Sequence, residues 1–179
     1  MRPILGRQDV RSGQAEMATR SDLYKQDFFR WTEQQAALLR REAARRLNTA
    51  LDLEHLAEEI ESLGRSDRRA LTSHLARIIE HLLKLQYSPA TEPRAGWRTS
   101  VQVHRDEARK LLADSPSLRP YLAGVLEDCY RSGRDFASIG MSEEAVTLPE
   151  RCPYSLDQIL ERDWWPSTRA PDGESQARP

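Results

Sequence analysis

Cysteine is nearly absent from this chain: Cys129 and Cys152 are the two present in 179 residues. They form no CxxC pair, so neither a disulfide framework nor a cysteine-ligated zinc site is expected. Long apolar runs are missing as well. No stretch approaches the ~18 residues that a membrane span needs. The first residues contain no apolar core of a secretory leader, so cytoplasm is the expected compartment. Strand formers are sparse and no segment alternates apolar and polar residues for long, which argues against a sheet. Neither sign of charge dominates: 27 basic and 28 acidic side chains leave a net charge of −1. Nothing therefore drives the whole molecule toward nucleic acid or membrane. A glycine-rich phosphate loop and an activated nucleophile are also absent.

What is present is helical. Hydrophobic residues make up 39% and charged residues 31%, which suits a compact domain with a heavily charged surface. The charge is blocked along the chain. Residues 1–51 sum to +4, 52–63 to −5, 64–110 to +5 and 111–179 to −5. Such blocks fit complementary helix faces within one bundle. Residues 1–20 are polar and unpatterned and predict a disordered lead, with Met17 an alternative start. Ser21 and Asp22 can cap a first helix from Leu23 to about Leu47. Asp52 caps a second, whose Leu53, Leu56, Ile60 and Leu63 form one stripe. Gly64 then reads as its stop and Ser66 as the next cap, which predicts a tight antiparallel hairpin through Gly64-Arg65-Ser66. The third helix carries the seam Leu71, Leu75, Ile78 and Leu82, widened by Ile79 and Gln86, and Pro89 and Pro93 close it. A fourth helix is predicted from about Trp97 to Ala113. A fifth has Pro120 in its first turn and is expected to pack Leu122, Val125, Leu126, Cys129 and Phe136. Ser142 with Glu143 and Glu144 suggests a short capped turn. Ser155 caps a last short helix, Trp164 and Trp165 pin the terminus to the body, and 167–179 read as a disordered tail. The expectation is a single all-α domain over 21–166, an irregular bundle of about five main helices plus the short C-terminal one.

These segments follow a known order. The words Leu23-Tyr24-Lys25-Gln26-Asp27-Phe28-Phe29-Arg30-Trp31-Thr32 and Leu56-Ala57-Glu58-Glu59-Ile60-Glu61-Ser62-Leu63-Gly64-Arg65-Ser66 come first. His81 through Pro89, Gly96-Trp97-Arg98, Ser115 through Leu118 and Cys152 through Leu156 follow. Over about 23–166 the chain resembles the bacterial domain of unknown function twenty-nine. Leu85 departs from that pattern, standing where a tryptophan is usual, and 41–51 is an unusual Arg- and Ala-rich join. The resemblance implies an all-helical fold and no accepted activity.

Candidate chemistry is sparse. His55 and Glu59 are i, i+4 on the second predicted helix, and in the predicted hairpin His74 reaches the same height. That set is the metal alternative. His81 sits at the boundary of the third helix's seam and Glu59 at the edge of its own stripe, a pairing suited to acid–base work. Arg65, Arg68, Arg69, Arg77, Lys84, Arg94, Arg98, Arg105, Arg109 and Lys110 form a basic run with Tyr87 and Trp97 inside it. Five acids interrupt that run, which argues against nucleic acid. The Lys84–Arg98 loop, with Tyr87, Trp97 and Arg98, has the aromatic and arginine content of interaction hot spots. The leading reading is a small cytoplasmic bacterial adaptor or regulator acting through contacts with another protein or itself. Its candidate binding residues are Glu59, His81, Lys84, Tyr87, Trp97 and Arg98. The alternatives are an enzyme or metal-binding bundle using His81, Glu59 and His55 or His74, and a weak nucleic-acid binder. No catalytic residue and no cofactor is assigned.

Overall fold

A computed structural model describes residues 22–45, 49–141 and 147–168. Every regular element among the described residues is a helix: α1 (22–26), α2 (Phe28–Ala44), α3 (Leu53–Tyr87), α4 (Arg94–Asp114), α5 (Leu118–Gly140) and α6 (Leu156–Leu160). The all-α reading holds. Residues 1–20, 169–179 and the turn expected at Ser142 lie outside the described residues. The chain forms two compact units. Among the described residues, one comprises those up to Arg69 with Leu111–Arg119, the other Ala70–Lys110 with those from Pro120 on.

Two predicted boundaries are corrected. The first helix is interrupted at Asp27, whose carboxylate accepts from Arg30 N at 3.0 Å and caps α2. The same carboxylate accepts from Ser117 N at 2.9 Å and Ser117 Oγ at 2.8 Å. A side chain serving three donors fixes the break, and Ser21, one of the two caps expected at the helix start, lies outside the described residues.

The second correction is larger. The predicted hairpin at Gly64-Arg65-Ser66 does not exist, because α3 runs unbroken for 35 residues. Gly64 is a packing residue rather than a stop. A Cβ there would meet Thr32 Oγ1 at 2.6 Å and the Phe29 ring at 3.2 Å. Ala36 and Ala57 are fully buried, so α2 and α3 are lined with small residues where they meet. This contact also turns the predicted core stripe aside. Leu56 is 42% and Leu63 49% exposed.

In the second unit the predicted seam is buried as expected. Leu71, Leu75, Ile78, Ile79 and Leu82 on α3 are fully buried, as are Val101 and Ala108 on α4 and Leu122 on α5. At Gly133 α5 comes close to α3: a Cβ there would lie 2.7 Å from the Ala76 carbonyl oxygen. Pro120 lies in the first turn of α5. Ser155 caps α6 in a reciprocal capping box with Gln158, also as expected.

Candidate functional site

The sequence-predicted site residues do not converge. Glu59 and His81 lie 22 positions apart on the one continuous α3, so they cannot form an acid–base pair. The metal alternative of His55, Glu59 and His74 fails for the same reason, since it needed the hairpin. His55 is exposed and bonds Asp52, the α3 cap, whose carboxylate raises its pKa. Lys84 is buried and donates to Glu80 Oε1 at 2.7 Å. Tyr87 and Trp97 are half-buried. Arg98 is exposed, with its guanidinium 5.3 Å from the Trp165 ring centre. The loop is shorter than expected, because α4 starts at Arg94. That residue donates to Leu85 O at 2.6 Å and Ser88 O at 3.3 Å, holding the connection against the end of α3.

The basic run is largely occupied internally. Arg65 and Arg68 pair with Glu61 and Glu33, Arg77 and Lys84 with Glu80, and Lys110 with Glu107. Arg105 and Arg109 donate to backbone carbonyls.

Two arrangements emerge instead. The first is an open apolar face in the first unit. The pairs Arg40–Glu61 and Arg68–Glu33 close one side of the α2–α3 hairpin. At about 100° per residue, Leu56, Ile60 and Leu63 lie on the other side of the Ala57–Gly64 contact line, and Leu39 lies correspondingly on α2. Leu53, Ile60 and Leu39 are half-buried beside the exposed Leu56 and Leu63. Nearer the start of α2, Phe28 stacks on Trp31 and Tyr24 meets both rings edge-on, with Tyr24 51% exposed. At the connected end of the hairpin, Arg41 and Arg45 are exposed on the α2 side and Glu54, Glu58 and Glu59 on the α3 side.

The second is a polar cluster in the second unit, on α3 and α4. His74 Nδ1 lies 2.9 Å from His104 Nδ1, with the rings tilted by 45°. Burial lowers the pKa of both, partly opposed by the nearby Glu107 carboxylate. His81, seven residues beyond His74, has a buried Nδ1 with no hydrogen-bond partner among the described residues. Its pKa is also lowered, first by burial. Glu80 is buried between Lys84 and Arg77, which donate to its two oxygens at 2.7 and 2.8 Å. Burial alone would raise its pKa; the hydrogen bonds from Lys84 and Arg77 and the charge of Lys84 outweigh that and keep it lowered. Buried cysteine is inert here: burial pushes the Cys129 thiol up to about 11.

Sequence reasoning missed His104 and Arg105. A signal existed for the first. Once the proline-bearing connection is taken as a helix-to-helix turn, His74 and His104 lie at similar counts before and after it. For Arg105 there was none, since a buried arginine in a basic run is indistinguishable from its solvated neighbours. Arg105 is fully buried and anchors the C-terminal segment. Its Nε donates to Ile159 O at 2.8 Å, Nη1 to Arg162 O at 3.1 Å and Nη2 to Gln158 O at 3.2 Å. Trp165 packs over it, centred 5.1 Å away, so the expected pinning of the terminus by its tryptophans is present.

Comparison with known proteins agrees with this architecture. Residues 23–165 match the Domain of unknown function DUF29. No curated protein matches. The chain is similar to an alpha-helical protein of unknown function from Rhodospirillum rubrum, known from a crystal structure. The two are 31% identical, with a TM-score of 0.67, over 79% of this chain and 90% of that one. With a family match over most of its length and the same helical fold in that relative, the chain belongs to the DUF29 family.

Proposed function

We propose that this chain is a helical interaction module that works through protein contact, and that its surface for that purpose is the leucine face of the α2–α3 hairpin. The observation that carries the reading is the exposure of Leu56 and Leu63 beside Leu39, Leu53 and Ile60. An apolar strip of this kind on a helix pair is an unfinished bundle. The occupant proposed is a second copy of the chain. Two hairpins with their leucine faces together make a four-helix core under two-fold symmetry. No helix among the described residues is long and apolar enough to cross a membrane, and the cytoplasm is the proposed setting.

Sedimentation of the untagged protein tests this. The expected species has twice the 20.6 kDa chain mass. Leu56→Glu with Leu63→Glu removes two leucines from each copy and so four from the dimer, each worth about 1.5 kcal/mol or more. That weakens association by about ten-thousandfold or more, while the melting temperature of the monomer, where both leucines are exposed, stays unchanged. A wild-type chain that is monomeric at high concentration, or a double variant that dimerises normally, contradicts the proposal.

A further inference from the structure

We infer that the His74–His104 contact is a proton-operated catch between α3 and α4 of the second unit, closed while at least one ring is neutral and opened when both are charged. The contact is an in-line N–H···N hydrogen bond. The two Nδ1 atoms are 2.9 Å apart and the ring centres 5.2 Å, so the nitrogens meet head-on between the rings. A neutral imidazole holds one hydrogen, on either nitrogen, and an imidazolium holds one on each. The closed contact therefore needs unlike partners. One ring bears its hydrogen on Nδ1 and the other presents a bare Nδ1. A first added proton goes to the donor ring's Nε2 and leaves the bond in place, now charge-assisted. A second has the acceptor's Nδ1 as its destination. It sets two N–H groups and two positive charges face to face, and the bond is lost.

The surroundings disfavour the doubly charged pair. Burial lowers the pKa of His74, opposed by Glu107. Burial, then the charges of His74 and Arg77, lowers that of His104, opposed by Glu80 and Glu107. Both carboxylates are already engaged: Lys110 holds Glu107 at 2.7 Å, and Lys84 and Arg77 hold Glu80. His81, two turns along the same face of α3, is lowered first by burial, and the His104 charge acts on it in the same direction. From α5, the neighbour of Arg77 is the uncharged Phe136 ring, 4.6 Å away and 42% exposed rather than packed inside. Folded-state values below the usual 6.5 mean that the unfolded chain takes up protons first. The pair's contribution to stability is thus complete above that value and is lost as the pH falls below it. Opening loosens α4 at His104, between the fully buried Val101 and Ala108.

The test compares the full-length wild type with His74→Asn plus His104→Asn, by urea denaturation at pH 7.5 and at pH 5.5, both above the usual carboxylate range. Asparagine places an amide where each Nδ1 stood, so the variant keeps donors and acceptors that do not titrate. Between the two pH values the folding constant of the wild type is expected to fall by roughly three- to tenfold more than that of the variant. His55 and His81 are present in both proteins, so the difference belongs to the pair. If the variant does not fold, nitrogen and amide resonances of the wild type decide. At pH 7.5 one ring is expected as the Nδ1–H tautomer and the other as Nε2–H. The pair should titrate in two steps, and amide protection of α4 around His104 should fall with the second. Equal pH dependence in the two proteins, two Nε2–H rings at pH 7.5, or unchanged protection once both rings are charged overturns the inference.

Discussion

Arg105→Ala is expected to destabilise the protein by about 3 kcal/mol and to free its C-terminal segment. The guanidinium is fully buried and donates to three carbonyls, of Gln158, Ile159 and Arg162. Each buried acceptor left without a donor costs about 1–3 kcal/mol. Arg109 to Leu160 O and Gln102 to Arg162 O supply neighbouring bonds, so the loss falls at the lower end for each carbonyl. The lost stacking of Trp165 adds to it. Burial pulls the Arg105 pKa down to about 10, so the group is still charged at neutral pH and its loss is of a charged donor. Arg105→Lys keeps the charge and loses the planar fork, and is expected to recover less than half of the stability. Chemical denaturation measures the loss. A red shift of tryptophan emission and faster trypsin cleavage at Arg162 report release of the segment. A variant within 0.5 kcal/mol of wild type, roughly the scale of neutral surface changes, would show that the tail is not anchored there.

Glu80→Ala is expected to cost about 3–5 kcal/mol, because it leaves the Lys84 ammonium buried without its carboxylate. Both side chains are at most 10% exposed. A Cβ at Gly140 would lie 2.5 Å from Lys84 Nζ, so α5 crowds the ammonium and leaves it little room to move. Lys84→Met removes the charge with a side chain of similar length and is expected to cost less, since Arg77 still pairs with Glu80 at 2.8 Å. Glu80→Leu combined with Lys84→Met, an apolar pair of similar volume, should sit close to wild type, as buried ion pairs replaced by well-packed apolar residues often do. Glu80→Leu alone closes the cycle with Lys84→Met, the double variant and wild type, and thermal melts of these four give the coupling. A Lys84 that serves as an exposed binding residue predicts the reverse: Glu80→Ala would be mild and the two changes would add without coupling.

These two residues show where the sequence was legible. The helices, the α3 seam, the Pro120 first turn and the Ser155 cap follow from period, proline and capping chemistry, all local signals. Gly64-Arg65-Ser66 misled because a helix stop and a helix–helix contact both select glycine, and the partner that decides between them is Thr32, 32 residues earlier on another helix. The stripe Leu53–Leu63 was found as a stripe. Its exposure was not, because burial depends on which residues α2 presents, and α2 presents alanine and threonine. Lys84 and Arg105 read as surface charge for the same reason: their acceptors, Glu80 and the carbonyls around α6, become visible as partners only once helices are packed. The histidine pair needed the register of α3 against α4.

The interaction reading rests on α3 being one helix, since an unbroken α3 turns the leucine face outward. Spin labels at Glu54 and Arg69, both exposed, measure this directly in a chain whose Cys129 and Cys152 are replaced by alanine. Fifteen residues of continuous helix predict a backbone separation of about 22 Å. A chain that reversed at Gly64-Arg65-Ser66 would bring the same positions to about 14 Å, given helices packed 8–10 Å apart. A distance distribution centred near the longer value supports the continuous helix, and one centred near the shorter value contradicts it.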